Sequence, residues 1–159
     1  MNDPPYLPAF DNFDPAVAET MRSALPMTGI PEYLGIQVVD VAPGTMTAQL
    51  VVRPELMNPF GSAHGGTLAA LVDHLLGAVL YPHIPPGAWA ATTELKLNFI
   101  SPVRNGVLRA RAQIISMTQR TAVVRVDATS GGRLVGAAQG TVTILPPKGG
   151  PSVPPPERS

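Results

Sequence analysis

Cysteine is absent from this chain of 159 residues. That absence excludes a disulfide framework, a thiolate nucleophile and a zinc–thiolate centre. An excess of charge is lacking as well, since lysine plus arginine and aspartate plus glutamate number 11 each. With no basic block and no interleaving of basic and aromatic residues, the sequence offers neither a nucleic-acid groove nor a patch for an anionic membrane. The start, Met1-Asn2-Asp3-Pro4-Pro5, has no basic or apolar leader, so a cytoplasmic protein is expected. The apolar run from Gly65 to Tyr81 contains Asp73-His74 and lacks flanking basic anchors. It is short for a membrane span and reads as a core helix. A chain of this length can bury a single core, and the balance of charge favours a small molecule or a protein as partner.

Proline is present in quantity but unevenly. Of the 19 prolines, six lie between the N-terminus and Pro31 and six more from Pro146 onward. Residues 1–34 therefore read as an extension with one short helix, begun by Asp14 as N-cap with Pro15 at the first helical position and continued by Glu19, Met21, Arg22 and Leu25. Residues 146–159 read as a proline-rich tail whose part from 148 onward is expected to be disordered. Between them, residues 35–145 form the main unit.

That unit reads strand, strand, helix and then four strands. Gly35 to Val41 and Thr45 to Val52 flank the turn Ala42-Pro43-Gly44. The second of them alternates Met46, Ala48, Leu50 and Val52 against Thr45, Thr47 and Gln49. Leu95, Leu97 and Phe99 alternate with Glu94, Lys96 and Asn98, and Leu108 to Ile114 and Val124 to Ala128 behave alike. Ser130-Gly131-Gly132 then turns the chain into a strand from Arg133 to Leu145. The helix from about Ala63 to Tyr81 is apolar on nearly every side and must be enclosed. Its small residues Ala69, Ala70, Gly77 and Ala78 admit a second backbone. The fold class is α+β, a long central helix wrapped by a curved antiparallel sheet, with apolar surface left over for another subunit.

One residue in this region stands out chemically. Asp73 is the single formal charge between Leu56 and Thr93. A carboxylate among Leu, Val and Ala is costly to bury unless it is paired or used. At the helix start, Gly65 and Gly66 put no side chain in the way of the first backbone N–H groups, which lack intrahelical acceptors and can receive a developing oxyanion. Tight helix packing would explain the same glycines. Eight residues of helix separate Gly65 from Asp73, roughly 12 Å. One helix therefore cannot bring both to one carbonyl, whereas two antiparallel copies across a two-fold axis can. Asn58 is either a turn residue before Pro59 or a donor to a substrate carbonyl, and His64 holds the loop or the substrate. His74 and His83 carry less weight. His64, Asp73 and His74 do not have the spacing of a metal site, because adjacent helical residues diverge by about 100°.

Asn58, five residues, His64-Gly65-Gly66, then Asp73, followed by Thr92-Thr93-Glu94-Leu95 and Phe99-Ile100-Ser101-Pro102, resembles the hotdog-fold acyl-CoA thioesterases of the phenylacetate-pathway (PaaI-like) type. The resemblance spans residues 35 to 145, including Gly131 to Ala137 and Gly140-Thr141. It implies that Asn58 and the Gly65 N–H hold the thioester carbonyl while Asp73 of a second subunit activates water or attacks directly. Thr92 matches the position of a hydroxyl residue that orients water or carboxylate. Alternation instead puts Thr92 on the face of Glu94, which leaves Thr93 as a substitute. No cofactor is implied, and the partners are an acyl-CoA and a second copy, as a homodimer or dimer of dimers. Arg104 and Arg120 are candidates for the phosphates of coenzyme A, with Gly66 beside the carbonyl. Trp89, Phe60, Met57 and Leu76 are candidate acyl-pocket residues or core. An enoyl-thioester hydratase of the same fold and a non-catalytic acyl-CoA binding module stand as alternatives.

Overall fold

Alternation puts every second side chain of a strand on one face, and in the computed structural model six such strands join into one antiparallel sheet. Residues 7–23 and 27–147 are described by the structure. The strands are β1 (Gln37–Ala42), β2 (Thr45–Val52), β3 (Trp89–Phe99), β4 (Gly106–Met117), β5 (Thr121–Ser130) and β6 (Arg133–Leu145), in the spatial order β1-β2-β4-β5-β6-β3. Two short helices, α1 (Pro15–Arg22) and α2 (Ile30–Leu34), precede them, and α3 (Gly65–Ala78) connects β2 to β3. Because β3 lies at the far edge beside β6, α3 must cross the whole inner face of the sheet, and it touches β2, β3, β4, β5 and β6.

The inner face is built from the alternating sets read in the sequence. Met46, Ala48 and Leu50 of β2, Leu108, Ala110, Ala112 and Ile114 of β4, and Val124, Val126 and Ala128 of β5 are all buried. Against them α3 sets Leu71, Val72, Leu75 and Leu76, each fully enclosed. Removing a leucine side chain from water stabilises the fold by roughly 1.5–3 kcal/mol. The helix reaches β6 directly at two glycines. A Cβ at Gly136 would lie 2.8 Å from Leu68 Cδ2, and one at Gly140 only 2.5 Å from Leu76 Cδ1. Leu76 is thereby a core residue.

Three expectations meet corrections here. The central helix stops at Ala78; Val79 and Leu80 form a turn and a 3-10 segment follows over Tyr81–His83, since Pro82 can supply no backbone N–H to continue the helix. It is also not enclosed on every side. Gly66 and Asp73 are exposed, and Gly65, Ala69, Ala70, His74 and Gly77 are half-buried, so one stripe of α3 lacks cover. The carboxylate of Asp73 is consequently not buried within one chain, and the desolvation argument does not hold there.

The N-terminal helix forms as read, with Asp14 Oδ1 accepting from the N–H of Ala16 at 2.8 Å and of Val17 at 3.2 Å. Leu25 and the tail from residue 148 lie outside the described residues. Among the described residues no helix is long and apolar enough to cross a membrane.

Candidate active site

A short loop delivers the chain to the start of α3. After the 3-10 turn Pro54–Leu56, an isolated bridge pairs Met57 with Ala63, and the N–H of His64 donates to Leu56 O at 2.8 Å. The N–H of Ala63 donates to Val103 O at 2.7 Å, which ties the loop to the segment between β3 and β4. At its tip, Asn58 Oδ1 accepts from the N–H of Phe60 at 2.9 Å and of Ser62 at 3.3 Å. Asn58 is thus a turn residue; its amide nitrogen donates one hydrogen to Ser62 Oγ at 3.0 Å and keeps the other.

His64 is the N-cap of α3. Its Nδ1 accepts the Gly66 N–H at 2.8 Å, which fixes the tautomer with the proton on Nε2. The Thr67 N–H goes to His64 O at 2.9 Å. The Gly65 N–H has no acceptor among the described residues, so one helix-start donor stands ready for an incoming oxygen. The Phe99 ring closes one side of it, lying 3.1 Å from where a Gly65 Cβ would be.

Asp73 sits two turns further along the uncovered stripe, exposed and with no hydrogen-bond or ion-pair partner among the described residues. His74 next to it is half-buried. Burial lowers the His74 pKa below the usual histidine value, and the nearby Asp73 charge offsets part of that effect.

Thr92 and Thr93 are sorted by a β-bulge. Thr92 pairs with Val142 and Glu94 with Thr141, which leaves Thr93 as the extra residue. Val142 is fully buried beneath the helix, and directly paired residues share a face, so Thr92 looks inward. Thr93 is exposed and donates its hydroxyl to Thr141 O at 3.2 Å.

The two candidate arginines lie at opposite ends of the 12-residue strand β4, roughly 40 Å apart at the rise of an extended chain. Arg104 lines a cleft of about 610 Å³ together with Pro102, Val103, Asn105, Ser130 and Arg133. That cleft opens beside the α3 start through Val103. Arg120 instead lies at the Thr92 end, where its carbonyl accepts the N–H of Ile144 at 2.8 Å. Sequence reasoning missed Arg133, whose position after Gly131-Gly132 gave a turn signal but no hint of the facing loop. It also missed Ser62, which meets Asn58 only because the loop closes on itself.

A central helix held in the concavity of a curved six-stranded antiparallel sheet, entered through a His-Gly-Gly step, defines the hotdog fold. The chain belongs to the thioesterase superfamily, whose family model matches residues 60–137. It is 32% identical to the phenylacetic acid degradation protein PaaI of Thermus thermophilus, solved as a variant, with 71% of this chain and 96% of that one covered at a TM-score of 0.65. It is also 29% identical to the 1,4-dihydroxy-2-naphthoyl-CoA hydrolase of Listeria monocytogenes over 64% of this chain and 82% of that protein. Human acyl-coenzyme A thioesterase 13 is 27% identical over 72% of this chain and 83% of its own length.

Proposed function

We propose that this thioesterase hydrolyses an acyl-CoA at a site shared by two copies of the chain. The carrying observation is the pair of unsatisfied groups on one helix, the Gly65 N–H and the Asp73 carboxylate, which are too far apart to serve one carbonyl. Antiparallel pairing of two α3 helices along the uncovered stripe of Gly66, Ala69, Ala70 and Gly77 sets Asp73 of each subunit opposite Gly65 of the other. The small side chains allow that approach, and either a homodimer or a dimer of such dimers satisfies it.

In the shared site the thioester oxygen accepts from the Gly65 N–H and Asn58 Nδ2, which polarises the carbonyl. Asp73 of the opposite subunit takes a proton from water as the water oxygen bonds to the carbonyl carbon, and the developing oxyanion rests on the two donors. Collapse of the tetrahedral intermediate re-forms the carbonyl and breaks the C–S bond. The thiolate leaves and recovers the proton from Asp73. In the alternative covalent route, the Asp73 carboxylate attacks the carbonyl carbon, the C–S bond breaks as an anhydride forms and the CoA thiolate leaves. Water then adds at the Asp73 carbonyl, freeing the acid and the carboxylate, and the proton released goes to the thiolate. Single turnover in heavy-oxygen water distinguishes the two, because only the covalent route places solvent oxygen in Asp73.

Arg104, with Arg133 lining the same cleft, is suited to the phosphates of coenzyme A, and Arg120, at the Thr92 end, is the second candidate. His64 holds the helix start, and Thr92 faces the helix from β3. Residues 35–145 constitute the catalytic unit, with 1–34 an extension and 146–159 a tail, and a cytoplasmic location fits a soluble CoA substrate. A hydrolysis panel from acetyl- to palmitoyl-CoA, with phenylacetyl- and benzoyl-CoA, tests the reading. Cleavage of one or more esters, lowered by Asp73→Asn by roughly a hundredfold or more, supports it. Tight binding without turnover would make the protein a binding module, and hydration of crotonyl-CoA a hydratase.

A further inference from the structure

We propose that Ser62 is a positioning residue for catalysis, acting through Asn58; this rests on the reading of Asn58 as a carbonyl donor. Both ends of the Asn58 amide are engaged. The oxygen faces two N–H donors, those of Phe60 and Ser62, which fixes which end is oxygen and which nitrogen. The nitrogen carries two hydrogens, and one goes to Ser62 Oγ at 3.0 Å. A single N–H remains. Turning the amide about its last torsion breaks all three bonds at once, so the remaining hydrogen points in one direction before substrate arrives. Donors in such a chain polarise one another, and the two N–H groups on Oδ1 strengthen the remaining Nδ2–H as a donor.

Ser62 is separable from the loop it sits in. The loop is closed by backbone bonds that do not involve the hydroxyl, from Asn58 N–H to Ser62 O at 2.8 Å and from Gly61 N–H to Asn58 O at 3.2 Å. Losing the hydroxyl therefore leaves the loop standing and loosens the amide.

The test compares Ser62→Ala, Ser62→Thr, Asn58→Ala and the double variant Ser62→Ala/Asn58→Ala with the whole protein on the best CoA ester from the panel. Ser62→Ala is expected to lower kcat roughly five- to thirtyfold, the worth of one hydrogen bond, with KM within about twofold. Ser62→Thr, which keeps the acceptor, restores most of the loss. In the Asn58→Ala background the serine change adds nothing, because residues acting as one unit are not additive. A second readout needs no turnover: the two Asn58 side-chain amide protons give separate, slowly exchanging NMR signals in the wild type and faster exchange in Ser62→Ala. Full additivity of the two losses, or unchanged kcat and unchanged amide exchange in Ser62→Ala while Asn58→Ala is impaired, would overturn the role of Ser62. Unimpaired Asn58→Ala would instead overturn the donor reading itself.

Discussion

His64 Nδ1 accepts the Gly66 N–H at 2.8 Å, one residue past the Gly65 N–H that has no acceptor among the described residues. The imidazole thereby satisfies one donor of the α3 start and leaves its neighbour available. Replacing it with alanine removes the cap, which is typically worth about 1 kcal/mol. His64→Ala is expected to lower the melting temperature by a few degrees and to reduce kcat, while His64→Asn, which can cap, keeps stability near the wild type. Thermal denaturation of the three proteins checks this.

Thr92 and Thr93 make a direct comparison possible. Only Thr92 shares the helix face with Val142, while the Thr93 hydroxyl serves Thr141 O outside. Thr92→Val is expected to reduce kcat by about tenfold or more, in the range of a lost positioning hydrogen bond, and Thr93→Val to leave it unchanged. Equal effects of the two changes in steady-state kinetics would argue against the bulge sorting them.

His83 gives the pH dependence. It is buried against the rings of Phe10 and Phe13, with centroids at 4.7 and 5.5 Å, and its Nε2 accepts the Gly44 N–H at 3.1 Å. Burial holds its pKa below the ordinary histidine value of 6.5. The folded state thus binds the proton less readily than the unfolded chain. The stabilisation is fully present above that ordinary value and is lost as pH falls below it toward the folded one. Protonation also puts a hydrogen on Nε2 facing the Gly44 N–H. Denaturant unfolding between pH 8 and 5 is expected to show stability declining in the acid part of that range, and less steeply in His83→Gln. His74 is lowered in the same direction, so His74→Gln serves as the companion measurement.

The fold was legible where one physical cause dominated. Alternation marked β2 to its ends, because one sheet face is buried and the other wet. Asp14-Pro15 marked the start of α1 through capping alone. The bulge at Thr93 was not legible, since it is decided by pairing with Thr141 and Val142 on a strand distant in the sequence. The uncovered side of α3 was legible only in part. Ala69, Ala70 and Gly77 read as a place for a second backbone and are half-buried, whereas Ala78, read with them, is buried. The exposure of Asp73 was hidden because the stripe around it is as apolar as the side that packs. The end of α3 was masked by the apolar Val79 and Leu80 that follow it. Among the proposed site residues, Gly65 and Asp73 stand out in the sequence because each breaks its surroundings, one by lacking a side chain and the other by its charge. Ser62 and Arg133 break nothing locally and meet Asn58 and the Arg104 cleft only when the chain folds back on itself.

The sharing of one site between two chains is tested most directly by mixing two disabled proteins. Asp73→Asn and Asn58→Ala are each expected to be nearly inactive alone. Unfolded together and refolded as mixed dimers, one of the two sites in each heterodimer regains both an intact Asn58 and an intact Asp73 from opposite subunits. With random pairing, about a quarter of wild-type activity should return. Activity no greater than the sum of the separate variants, in samples shown to contain heterodimers, would contradict the shared site.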